Sequence, residues 1–249
     1  MIDTAGTYRE TRESLRDFVA GLTDEELLTT VPATPDWTVR DAVAHVVGEA
    51  RITTTGNAPP EFRLIQSLRD PEQAVIRDGI NASEVARRRD LPFDGVLAEW
   101  DRLAEELDPF LRGDRPFPWP EPFLDSILLT DLSQHGQDIR NAVGKPAERD
   151  SPACRIALAS FAVGLGFRLD SLGMPALRLR YEGKERRCGQ SEPAVTLAGD
   201  RYELLRALAG RRSRRQIEAM DWEGDREPYV GLVPAYGERL DDVVEGPAL

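Results

Sequence analysis

Apolar residues recur at three- and four-residue spacing through the first half of the chain, in stretches closed off by proline and glycine. That period puts apolar side chains on one face of a helix, so the chain must bury a series of amphipathic helices against one another. Between Tyr8 and Leu22 the stripe is Leu15, Phe18, Val19 and Leu22. Pro32 and Pro35 then break the chain, and the segment from Asp36 to Asp41 opens a second helix running to about Thr53. Thr38 with Asp41 three residues later fits the capping pattern, in which a hydroxyl and a carboxylate satisfy the orphan amides of a helix start. Gly56, Asn57, Pro59 and Pro60 end that helix. The stretch from Glu61 to Arg89 reads as helical but interrupted, with Pro71 as the break. From Asp94 to Leu111 the stripe is strongest, with Val96, Leu97, Trp100, Leu103, Leu107, Phe110 and Leu111. Arg115-Pro116-Phe117-Pro118-Trp119-Pro120 is barred from helix by its prolines and reads as a rigid extended link. Pro122 to Val143 is the last helix of this half, closed by Gly144 and Pro146. Four main helices joined by short or proline-stiffened links predict a bundle.

The second half changes period. Ser151 to Leu172 is apolar and helical, but Ala176-Leu177-Arg178-Leu179-Arg180-Tyr181 alternates as a strand does. Ala194-Val195-Thr196-Leu197 reads as a second strand, and Arg201 to Leu208 and Ser213 to Met220 as short helices. The expected class is therefore α+β: a helical bundle over residues 1–148 and a smaller α/β domain over 149–249, parted near Pro146 to Ser151.

Charge and cysteine content narrow the function. A net charge of −12 over 249 residues repels phosphate backbones and anionic membrane surfaces, so neither nucleic acid nor membrane is an expected partner. The start of the chain lacks a basic stretch followed by an apolar one. The charge-free apolar run from Ile156 to Phe167 falls short of the ~20 residues a membrane helix needs. Cys154 and Cys188 form no CxxC pair and no disulfide framework. A reduced cytoplasmic protein, monomer or homodimer, is the expectation. Walker, GxGxxG, GxSxG and HExxH patterns are absent from the sequence, so nucleotide, hydrolase-elbow and zincin chemistry have no support there.

Both histidines lie in the helical half. Asp131 and His135 are four apart and share a helix face, and Asp138 follows on that face. Facing His45 from a neighbouring helix, an Asp–His pair would make a bundle-core metal site with an open fourth position. The residues leave alternatives: His45 beside Val46 and Val47 suits a plain core or surface histidine, Asp131 a buried or exposed helix carboxylate bonded locally, and several other carboxylates could serve as ligand, including Glu49 four residues after His45. Arg211, Arg212, Arg214 and Arg215 form a basic cluster that suits a solvated helix start or an anion-binding patch where the two domains meet; Arg87-Arg88-Arg89 reads the same way. Trp37, Trp100, Trp119 and Trp222 read as packing residues, with Trp119 placed to line a pocket mouth.

Two segments resemble a known family. Trp37-Thr38-Val39-Arg40-Asp41-Ala42-Val43-Ala44-His45 is similar to the second-helix motif of DinB-like proteins, and more closely to the N-terminal domain of mycothiol-dependent maleylpyruvate isomerases. Asp131-Leu132-Ser133-Gln134-His135-Gly136-Gln137-Asp138-Ile139-Arg140 resembles their fourth-helix motif. The stretch from Ala198 to Ser213 resembles the C-terminal domain of the same actinobacterial group, which is similar to sterol carrier proteins in fold. The resemblance implies a DinB-like four-helix bundle with a divalent ion, zinc first and nickel second, on His45, Asp131 and His135. Asp131 stands where the family has glutamate, one methylene longer. The resemblance further implies mycothiol as thiol cosubstrate and a small electrophile as substrate.

On that basis the expected function is metal- and thiol-dependent transfer or isomerisation. Asp41 and Asp138 would orient the imidazoles of His45 and His135, and Arg211 and Arg212 would hold an anionic group of the substrate or cofactor. Two rivals differ in what they require. A metal-dependent hydrolase turns over without thiol, and a non-enzymatic metal-binding or regulatory protein keeps its ligand binding when His45 is lost.

Overall fold

The computed structural model describes residues 3–68, 70–119, 121–145 and 149–245; the prolines at 120 and 146, assigned above to a link and a helix end, lie outside them. The chain forms two compact units, Met1–Ala147 and Glu148–Leu249.

In the first unit the elements run α1 (Thr4–Ala20), α2 (Asp24–Leu27), β1 (Thr30–Val31), β2 (Thr34–Thr38), α3 (Val39–Thr55), α4 (Pro71–Arg88), α5 (Phe93–Leu111) and α6 (Leu124–Ala142). Helices α1, α3, α5 and α6 form the bundle, with α3 packed on α5 and α6 and α1 closing the other side against the same two. Leu15, Val43, Val47, Trp100, Leu107, Leu129 and Ile139 are among its buried residues. Thr38 and Asp41 form the expected capping box, and Gly56 closes α3 in the left-handed conformation at φ 68°. The segment before α3 is strand, not helix: Thr34–Thr38 pairs antiparallel with Thr30–Val31. Pro71 does not break a helix but begins one, because a proline at the first helical position has no amide to lose. The result is a fifth long helix, α4, packed on α3.

That contact is close. A Cβ on Gly48 would lie 2.6 Å from the Glu84 Cβ, so only glycine lets α3 and α4 approach this far. At the contact Glu84 is 4% exposed and Arg88 wholly buried. Arg88, read above as a solvated helix residue, instead donates to Glu84 at 3.0 Å and to Glu99 of α5 at 2.6 Å. Arg51 of α3 grips Glu84 through two bonds at 2.7 and 2.5 Å. Burial works against the Glu84 charge, but the Arg51 and Arg88 hydrogen bonds outweigh it and hold the carboxyl below its ordinary value.

The second unit contains α7 (Pro152–Ser171), β3 (Ala176–Tyr181), β4 (Lys184–Cys188), β5 (Pro193–Ala198), α8 (Arg201–Leu208), α9 (Arg214–Glu218), β6 (Asp221–Glu223) and α10 (Glu227–Val230). The sheet runs β4-β3-β5-β6, with β3 and β5 parallel and both outer strands antiparallel to their neighbours. Sequence pattern misses β4 because Lys184, Glu185, Arg186 and Arg187 give no apolar alternation. It is an edge strand, where charge blocks pairing with further chains.

Helix α7 extends past the charge-free run through Arg155, Arg168 and Asp170, and over Pro152–Ser171 it is long and apolar enough to cross a membrane by length and composition alone. Its Cys154, Ala157, Leu158, Ala162, Leu165 and Leu169 are buried with Leu177, Leu179 and Leu197 of the sheet and Leu204 and Leu205 of α8, the packing of a globular core helix. Cys154 and Cys188 are buried in that core, and burial pushes the Cys188 thiol up to about 12.

Two outcomes follow from these contacts. Glu84→Gln should cost about 3 kcal/mol in urea unfolding, because it leaves buried guanidinium charge short of a partner. Since the folded Glu84 carboxyl is depressed, its contribution stands above the ordinary carboxylate range and is lost as pH falls through the lowered value, so the variant should also show a flatter acid limb. Thiol labelling should leave both cysteines unmodified in the native protein and modify both in denaturant.

Candidate metal centre

Helix α6 carries an unusual buried load. Thr130, Ser133, Gln134, His135, Gln137 and Asp138 are all less than one-tenth exposed. Polar groups are costly to bury unless they are partnered, so a helix that buries six within nine residues marks a place where packing gives way to chemistry.

His45, 3% exposed, faces this polar surface from α3. Its Nε2 lies 3.5 Å from Asp131 Oδ2, and His135 Nε2 lies 3.6 Å from Asp131 Oδ1. Ligand atoms of the three residues all fall within 4.8 Å of one another. Bonds of ~2.0–2.2 Å to a tetrahedral ion put ligand atoms roughly 3.4 Å apart, so the two His–Asp separations are close to that spacing and the widest in the group, up to 4.8 Å, would have to close for the three to share one cation. Two nitrogens and one oxygen suit a borderline ion such as zinc or nickel. The Asp131 side chain is 25% exposed, far more than either imidazole, so the cluster is reached from the carboxylate side.

The surroundings differ from the sequence expectation in detail. Asp138 is buried with Oδ2 3.5 Å from His135 Nδ1, the ring nitrogen turned away from Asp131. The Asp41 carboxylate is engaged elsewhere, accepting from the Thr38 backbone N–H at 3.0 Å and the Thr38 hydroxyl at 2.8 Å. Glu49, one turn along α3 from His45, lines a small cavity with Phe62 and Trp119. Burial raises the Glu49 carboxyl to about 7, the Asp131 and Glu84 charges add to the rise, and His45 opposes it. Tyr8 of α1 is buried; desolvation raises its phenol against the opposing Arg12 charge, with Asp131 and Glu49 adding to the rise, so it stays protonated.

Trp37 was read as packing, and the structure gives that packing a position. Its ring lies 4.8 Å from the His45 ring and 5.7 Å from the His135 ring, while the two imidazoles meet edge-to-face at 4.7 Å. The indole therefore walls one flank of the cluster. Its place just before the helix cap was the available signal; nothing in the sequence pointed to Tyr8.

In the second unit Arg211 and Arg212 are 8% and 6% exposed. Arg212 donates to Glu203 at 2.8 and 2.9 Å and to Glu245 at 2.9 Å, and Arg211 donates to the Ala209 carbonyl at 2.7 Å. They form an internally partnered cluster and not a solvated helix start.

If the cluster takes a metal, Asp138→Asn should weaken metal affinity about 10- to 100-fold in a competition titration, by loosening the His135 ring. Nickel or cobalt should quench part of the tryptophan emission, and Trp37→Phe should remove that change while the bound metal stays at the wild-type level.

Comparison with known proteins places this geometry. A family model described as the mycothiol maleylpyruvate isomerase N-terminal domain matches residues 8–140, a span that includes His45, Asp131 and His135. No curated protein sequence matches the chain. Among solved structures, the crystal structure of the mycothiol-dependent maleylpyruvate isomerase is similar at 19% identity and a TM-score of 0.55, covering 88% of this chain and 91% of that one. A histidine-to-alanine mutant of that isomerase is similar at 18% identity and a TM-score of 0.54, with the same coverage. The likeness in structure reaches past the helical unit, and the family match spans more than half the sequence: the chain belongs to the mycothiol maleylpyruvate isomerase N-terminal domain family.

Proposed function

We propose that His45, Asp131 and His135 hold a divalent metal ion, zinc first and nickel second, and that the protein uses it with mycothiol or a related low-molecular-weight thiol to transfer to, or isomerise, a small electrophile. The observation that carries this reading is the convergence of two buried imidazoles and one partly exposed carboxylate at ligand separations of 3.5 and 3.6 Å. The family membership and the likeness to the mycothiol-dependent isomerase support it. A bound divalent ion supplies Lewis acidity, which makes a thiol available as thiolate at neutral pH.

The chain's own residues do the rest. Asp138, its Oδ2 3.5 Å from His135 Nδ1, would orient the ring and favour the tautomer that presents Nε2 toward Asp131 by closing to hydrogen-bond distance. Trp37 closes one flank, so cosubstrate and substrate approach from the side where Asp131 is exposed. The protonated Tyr8 phenol and the Glu49 carboxyl are the nearby groups able to donate a proton to a substrate. Asp131, one methylene shorter than the family's glutamate, would be the carboxylate ligand from α6, and the shorter reach would draw the helix face toward the ion, weaken the site or change the preferred ion. Holding an anionic group at Arg211 and Arg212 belongs to the same reading, and it requires Glu203 and Glu245 to give way.

Elemental analysis and calorimetry test this together. Purified protein should hold one equivalent of metal and bind low-molecular-weight thiols; His135→Ala should lose both. Equal metal content in the two proteins overturns the reading, and turnover of an electrophile without thiol replaces it with metal-dependent hydrolysis.

A further inference from the structure

An open cleft of about 450 Å³ runs between α3 and α4, lined among others by Ile52, Ile76, Ile80, Ser83 and Arg87. That volume suits a small organic ligand. Its chemistry divides cleanly. Ile52, Ile76 and Ile80 make an apolar wall, with Ile52 buried and the other two half-buried. Two guanidiniums, those of Arg51 and Arg87, and one carboxylate, that of Glu84, also line the cleft, and behind them the buried Arg88 pairs with Glu84 and with Glu99 of α5. The local balance is positive, in a chain whose net charge is −12.

The three arginines are not equivalent. Arg51 and Arg88 are held by short bonds to Glu84 and Glu99, and their side chains are 17% and 0% exposed. Arg87 is 58% exposed and only 3.7 Å from Glu84 through its Nε, too far for a hydrogen bond. Of the two lining arginines it is the more exposed, and it makes no hydrogen bond to Glu84, whereas Arg51 makes two. Ser83, on the same helix, adds an exposed hydroxyl. The position also matters: Ile52 and Ile80 wall both this cleft and the small cavity that Glu49 lines, one turn of α3 from His45.

We propose that the α3–α4 cleft is a binding site for a small, largely apolar organic acid, with Arg87 receiving the carboxylate and the isoleucine wall covering the hydrocarbon body. An apolar wall alone would take any hydrophobe; an exposed guanidinium in the same lining selects the anion. The site is distinct from the His45, Asp131 and His135 cluster and stands whether or not that cluster holds metal.

Gly79 of α4 lines the cleft, has nothing within 4 Å of where a Cβ would sit, and lies within a helix, so Gly79→Leu fills the space without strain. The full chain is titrated with hexanoate and with hexanol by calorimetry, with metal content measured on each sample. Hexanoate should bind at least tenfold tighter than hexanol. Arg87→Gln should erase that difference and leave hexanol affinity unchanged, and Gly79→Leu should weaken both at least tenfold with metal content unaltered. Equal affinity for acid and alcohol in the wild type overturns the proposal. So does hexanoate binding that survives Gly79→Leu, and if that binding is lost with His135→Ala, the carboxylate sits on the metal cluster instead.

Discussion

Two imidazoles held edge-to-face inside a helical bundle set the terms for the rest of the first unit. Neither ring is solvated, and the acid between them is the only member of the cluster that reaches solvent appreciably. Packing them requires a polar interior, which α6 provides along about two and a half turns, and an aromatic wall, which Trp37 provides from the strand before α3. A cation shared by the three side chains would give the two buried imidazoles and the partly exposed carboxylate a common partner. Without that role the bundle would do better with leucine at these positions.

The constraint passes along α3. This helix touches α4, α5 and α6, so its buried face is nearly continuous from Ala42 to Ala50. Gly48 removes a side chain where α4 comes closest, and the space admits the Glu84 carboxylate with its three arginines. Charge at that contact is balanced by geometry: Arg88 bridges α4 to α5 through Glu99, and Arg51 ties α3 to α4 through Glu84. One helix thus presents an imidazole to α6 and a guanidinium to α4 about a turn and a half apart, with Glu49 between them.

The second unit solves a different problem. Its core is apolar on both the α7 and sheet sides, and its charges gather at an edge strand and in a cluster of arginines around α8 and α9. Arg206 and Arg212 share the Glu245 carboxylate, which fastens the last described residues of the chain to α8 and to the turn that follows it. Buried arginine of this kind satisfies itself internally, a reading that counting basic residues cannot supply.

Local order was legible in the residues. The Thr38–Asp41 cap, the stripe of α5, the alternation of β3 and the shared face of Asp131 and His135 all arise from interactions within a few residues, which a linear pattern records. What depended on distant parts of the chain was not. Asp41 could serve the cap or His45, and the fold committed it to the cap. Arg88 reads as solvent-facing until α5 supplies Glu99, and β4 reads as loop until β3 supplies its ladder. Trp37 becomes a wall of the cluster only when α6 is laid beside α3. The sequence by itself determined that amphipathic helices form, where α3 is capped and which residue types could ligate an ion, because capping and periodicity are short-range. The tertiary structure alone decided that His45 and the Asp131–His135 pair face one another, because which faces of two helices meet is set by packing between segments far apart in the chain.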